Sequence, residues 1–128
     1  MLKRYFFGAL FTLLLLLGLC FANGAYIERI MIRAIGYADE ALDIAETADL
    51  EQACACALRL RSYWQQHRDY LESMMLHNEI DQITETLSNF VSAGLTGDME
   101  DFVRTKLLLC EQFEHLAGIE KLQLHNVF

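Results

Sequence analysis

Proline is absent from the 128 residues, so no position is barred from a helix by a missing backbone N–H or a ring clash. Glycine is scarce: the 7 glycines sit mainly near segment ends, while Ala, Leu, Glu and Gln, all good helix formers, recur throughout. An all-helical fold is expected. The length leaves room for one ordinary domain able to bury a real core. Basic charge is also scarce beyond the N-terminus. With Lys3 and Arg4 set aside, 8 of the 10 basic residues face 18 acidic ones, a formal charge of −10 from residue 25 onward. Such a surface lacks the basic footprint that nucleic acid and anionic lipid headgroups require, so no nucleic-acid partner is expected; a basic partner or a cation is the compatible choice. A solvated acidic face is the plainer explanation of the same charge.

Catalytic signatures are missing as well. There is no phosphate-cradling glycine loop, nucleophile elbow or H-E-x-x-H zinc motif. No Asp or Glu stands three residues before His67, His77, His115 or His125, the spacing that helical bundles use for carboxylate-bridged metals. Glu111 and His115 could share a face, but one such pair is common by chance. No C-x-x-C-H haem attachment signal accompanies His67 and Trp64. Cys54 and Cys56, two apart, point to nearly opposite sides of a helix and cannot form a local chelate or redox pair. A disulfide from Cys110 to one of them is conceivable in an exported chain, with three buried thiols as the simpler alternative. Neither an enzyme nor a cofactor is expected.

The chain does have one long apolar run. Lys3 and Arg4 precede an uncharged stretch from Tyr5 to Ala25, of which Phe6 to Ala22 is the strongly apolar part. An export signal and an N-terminal anchor both look like this, with the cations held on the cytoplasmic side. Seventeen residues is near the lower limit for spanning a bilayer. Cleavage after Ala22 or Gly24 is the alternative to an uncleaved anchor, and Leu19 before Cys20 argues against lipid attachment there. Residues 1–24 are therefore read as a signal-anchor or transmembrane segment, contacting the membrane through residues 5–22, and residues 25–128 as an exported helical domain.

Four amphipathic patterns follow. Ile27, Met31, Ala34, Ala38, Ala41 and Ala45 form the first seam, with Ile30, Ile35 and Leu42 widening it. Asp49 and Gln52 offer a cap for the second helix, whose seam is Ala53, Ala57, Leu60, Trp64, His67, Leu71 and Met74. Asn78 is the expected N-cap of the third, which uses Ile80, Ile83, Leu87, Phe90 and Gly94, the last suited to a left-handed helix end. The fourth carries Met99, Phe102, Val103, Lys106, Leu109, Cys110, Phe113 and Leu116. Beyond Gly118 the apolar tail is expected to fold back or serve as a docking strip. Short junctions imply antiparallel neighbours.

Two structural and three interaction positions stand out. Trp64 lies on the seam and is expected in the core. His67 takes a seam slot where a leucine would be expected, and a buried imidazole there needs a partner on a neighbouring helix; a pH switch is the alternative. His77, Glu79 and Asp81 suit the start of a helix, with a small polar recognition site as the rival account.

Trp64 with His67, "HNEID" from His77 to Asp81 and the closing "NVF" resemble the short, membrane-anchored bacterial proteins grouped as domain of unknown function forty-three sixty-three. The similarity covers the apolar segment and most of Asp49 to Phe128, and is weakest over Ala25 to Thr47. Members typically close in Asn-Ile-Phe, where this chain has Val127. The resemblance implies an exported helical domain behind one apolar segment, with no assigned activity or cofactor, and it draws attention to Asn126 and Phe128 as docking residues. The combined expectation is an all-α chain: a transmembrane or signal helix, then an antiparallel four-helix bundle outside a bacterial cell membrane with the N-terminus cytoplasmic. It would serve as a non-catalytic interaction or scaffold module with a protein partner at the membrane. Apolar surface over Ala25 to Ala45 leaves room for self-association. A ligand- or metal-sensing bundle is the alternative.

Overall fold

The computed structural model describes the backbone of residues 1–127 and the side chains of residues 1–118. Its helices are α1 (Leu2–Thr47), α2 (Leu50–Met74), α3 (His77–Thr96) and α4 (Met99–Val127), and no strand occurs among the described residues. Two-residue connections force each helix to reverse against its predecessor. Each packs against its sequence neighbours, and α4 closes the ring against α1. The result is an antiparallel four-helix bundle.

The first bundle helix and the apolar segment are one continuous helix. At 1.5 Å per residue, the 46 residues of α1 extend about 69 Å. No break separates residue 24 from residue 25. Up to Ala22 the helix is exposed except for a half-buried Leu17; from Gly24 onward its seam is buried. This long apolar helix is long and apolar enough to cross a membrane. The boundary between the two parts is thus a change of surroundings, with no change of backbone.

The core mixes small residues, which let the helices approach closely, with large aromatic side chains. Ala34, Ala38 and Ala41 of α1 and Ala53 and Ala57 of α2 are fully buried, while Phe90 of α3 and Phe102 and Phe113 of α4 fill the centre. Phe90 stacks on Phe102 with ring centroids 4.4 Å apart, and Phe113 lies 5.5 Å from Trp64. This complementarity of size is what close packing demands. The α1 strip expected to leave room for self-association is buried here, although Ile32 stays exposed on the far side.

Helix ends follow local chemistry with some departures. Asp49 Oδ1 accepts from the Gln52 N–H at 2.7 Å, and Asp98 Oδ1 accepts from the Asp101 N–H at 3.1 Å. Both are N-caps. The third helix starts earlier than expected: Leu76 is its N-cap, without a side-chain hydrogen bond, and Asn78 lies inside the first turn. Gly94 does not end α3. It is buried within the helix, where a Cβ would come within 3.4 Å of Cys54 and Phe102; Gly97, at φ 77°, takes the left-handed position. Close packing selects glycine at the first site and backbone conformation at the second. Gly118 does not end α4 either, so the tail continues as helix to Val127 rather than turning back at Gly118. Met74, on the expected core seam, is 53% exposed because it lies at the last residue of α2.

Candidate functional site

The acidic start of α3 does not form a single site. Residues 79 and 81 are two apart on a helix and so point about 200° away from one another. Glu79 faces α4, where its Oε1 lies 4.0 Å from His115 Nε2. Asp81 faces α2, where its Oδ1 accepts from Arg68 at 3.5 Å, while Arg68 also donates to Glu72 at 2.9 Å. Both carboxylates hold the Arg68 guanidinium in its charged form, with Glu72 the stronger influence. His77 is exposed, and among the described residues no ion pair joins it to Asp81.

Glu79 instead lines a cleft of about 320 Å³ between α3 and α4, shared with Glu111, Gln112 and His115. The i, i+4 spacing of Glu111 and His115 was the sequence's signal for this face; the participation of Glu79 and Gln112 requires the α3–α4 register. Gln112 Oε1 is buried there with no hydrogen-bond partner. A buried carbonyl oxygen of this kind favours a donor. No group of three or more His, Cys, Asp or Glu side chains placed to hold a metal occurs among the described residues.

Trp64 and His67 occupy different environments although both lie on one helical seam. Trp64 is fully buried, and its indole Nε1 donates to Thr84 Oγ1 at 3.0 Å; that hydroxyl in turn donates to the Ile80 carbonyl at 2.8 Å. His67 is half-buried between α1 and α2. Its Nδ1 lies 3.3 Å from the Tyr26 hydroxyl, and its ring meets Tyr63 at 4.6 Å. Tyr37 against Tyr63 at 5.4 Å and Tyr26 against Tyr70 at 5.0 Å extend this into a ladder of five rings along the α1–α2 seam. Tyr63 and Tyr70 flank Trp64 in sequence, but the antiparallel register separates them, turning the tyrosines to α1 and the indole to α3 and α4.

Burial pushes the Tyr63 phenol up, with Arg33 opposing in part, so that ring stays protonated across ordinary pH. The long contact at His67 and the exposed Tyr26 make this a packing ladder with a polar edge. The four cysteines are free thiols. Cys54 faces Gly94 of α3, whereas Cys56 Sγ donates to the Tyr37 carbonyl of α1 at 3.4 Å. Lys106 spans α4 to α1 and places Nζ 2.7 Å from Asp39 Oδ1. Burial opposes its charge, but the Asp39 bond and the nearby anionic groups outweigh it and raise its pKa. The side chains of Asn126 and Phe128 lie outside the described residues.

Comparison with family models, with curated proteins and with solved structures returned no match to this chain.

Proposed function

We propose that this protein is a membrane-tethered helical interaction module, non-catalytic, with its bundle on the extracytoplasmic side of a bacterial cell membrane and its N-terminus in the cytoplasm. The observation that carries this reading is the continuity of α1. One half of the helix is an exposed apolar rod, and the other half supplies a core strip of the bundle. A rod of this composition has no favourable place in water, because each exposed leucine or phenylalanine loses transfer free energy there. Lys3 and Arg4 ahead of the rod favour a cytoplasmic N-terminus. The resemblance to the family of unknown function supports the same address, and a protein partner at the membrane is part of the proposal.

Protease treatment of intact spheroplasts carrying the full chain tests the topology. Digestion of the bundle without lysis supports it; protection until the membrane is opened refutes it. Salt or carbonate extraction should leave the protein with the membrane. Release of the intact chain would overturn the tether.

A second reading, a bundle that senses a small ligand or a metal, is favoured by the α3–α4 cleft with its unpartnered Gln112 Oε1 beside Glu79 and His115. Metal analysis of the purified protein addresses it. Stoichiometric metal lost in Glu79→Ala and retained in His77→Ala would select this reading over the scaffold.

A further inference from the structure

The end of the bundle nearest the apolar rod has an unusual rim. Met74 closes α2 and Leu76 precedes α3, and they are 53% and 71% exposed. Neither is in the core. Met75 and Leu76 form the two-residue turn that follows Met74 and reverses the chain beside α1. Met74 borders a shallow groove of about 500 Å³ together with Leu16, Leu19, Cys20, Tyr26 and Tyr70. The bundle therefore overlaps the apolar rod instead of beginning where the rod ends.

This overlap fixes a depth because α1 has no break. If residues 5–22 cross the bilayer, their length of about 27 Å lies close to a hydrocarbon core of about 30 Å. On that scale Leu19 lies about 4–5 Å inside the boundary nearer the bundle. Met74, which shares a groove with Leu16 and Leu19, is carried toward the same depth. Tyr26 and Tyr70, packed edge to face with centroids 5.0 Å apart, then come to the headgroup level that tyrosine favours. Asn23 Oδ1 accepts from the Tyr70 hydroxyl at this level and ties α2 to the rod. Glu79 and Asp81, in the first turns of α3, limit how deeply the tip can enter.

We propose that the α2–α3 turn, through Met74 and Leu76, seats in the bilayer interface and holds the bundle upright on the membrane in a fixed orientation. The inference rests on the reading of residues 5–22 as a membrane span. The occupant of this rim is a lipid surface. Asp69, Glu72 and Asp81 around Arg68, with Glu79 on the α4 side, make it a surface for zwitterionic lipid, contacted through apolar side chains rather than through charge.

The test uses the full chain in phosphatidylcholine vesicles, with Cys20→Ser removing the exposed native thiol. An environment-sensitive fluorophore is attached at Leu76→Cys, at Leu13→Cys in the rod, or at Leu95→Cys at the opposite end of the bundle. The parent Cys20→Ser protein supplies the labelling background. Loss of emission with acyl-chain nitroxide lipid, and little loss with aqueous iodide, is expected at Leu76 and Leu13; the reverse is expected at Leu95. If Leu76 behaves like Leu95 while Leu13 is quenched from the lipid, the seated turn is wrong and the span stands. Should Leu13 also be open to iodide, the membrane span itself fails and the seated turn falls with it.

Discussion

Replacing Thr84 with valine removes one oxygen from the bundle and tests the hydrogen-bond chemistry of its core. Valine nearly matches threonine in shape, so little cavity follows. The Ile80 carbonyl loses a hydroxyl donor but sits within the α3 helical ladder. The indole Nε1–H of Trp64 loses its partner at 3.0 Å, and Trp64 is fully buried. Leaving a buried donor unpaired costs about 1–3 kcal/mol. For a domain near 100 residues, this corresponds to a Tm lower by about 4–24 °C, taking about 4–8 °C per kcal/mol.

Trp64 is the sole tryptophan, so the red shift of its emission in urea follows unfolding at this very position. The full chain in a bilayer mimetic is the material, with circular dichroism for variants that lack the indole. Trp64→Phe combined with Thr84→Val removes both partners and should cost less than the two single changes together, by about 1 kcal/mol. A Thr84→Val protein within about 0.5 kcal/mol of the parent, with strict additivity in the double variant, would refute the claim that the buried indole depends on this bond.

Four further outcomes follow from the same packing. Trp64→Ala should cost about 3–5 kcal/mol, measured by urea unfolding followed by circular dichroism, because the Phe113 contact and the indole volume are lost together. Gly97→Ala should cost about 1–2 kcal/mol for a side chain at positive φ, whereas Gly36→Ala, with nothing near the added Cβ, should stabilise by about 0.5–1 kcal/mol; equal effects at the two sites would contradict the conformational account. Asp49→Ala should remove about 0.5–2 kcal/mol of helix capping, seen in thermal melts. Stability should fall with rising pH in the alkaline range. Burial raises the Cys110 and Cys56 thiols above their ordinary value of 9.0, and Lys106 stands above 10.5 despite its burial, so the folded state holds these protons more tightly than the unfolded chain does. Their contribution is present below the ordinary values and is lost as pH rises through the folded ones. Lys106→Met should flatten the part of the pH profile above about 10.4; a profile unchanged by this substitution would remove the Asp39 pair from the explanation.

Much of the fold is legible in the residue pattern. The seams of α1, α3 and α4 fall where apolar residues recur three and four apart, and the Asp49 cap follows from an Asp-x-x-Gln stretch. The departures have particular causes. Asn78 is a good capping residue, but the turn closes two residues earlier, so Leu76 takes the cap without bonding it. Gly94 has the composition of a helix end, yet Cys54 and Phe102 press on it from neighbouring helices, and contact selects glycine there. Met74 satisfies the seam spacing, but periodicity does not reveal that α2 reaches its end at this residue.

The candidate site was less legible, because spacing along one helix carries no information about the facing helix. Glu79 and Asp81 are near in sequence and share the same charge, yet helical rotation sends one to His115 and the other to Arg68. His67 and Trp64 likewise lie on one stripe, and only the register of α1 against α2 gives the imidazole Tyr26 and Tyr63 while the indole goes to Thr84 and Phe113. Local periodicity, end chemistry and the apolar run are properties of neighbouring residues, so the chain alone specifies four helices and one long greasy segment. Which side chains meet across those helices, and how far the bundle overlaps the apolar rod, depends on packing between distant segments. That is settled only when alanine-lined faces and aromatic side chains find the arrangement that leaves the least empty space.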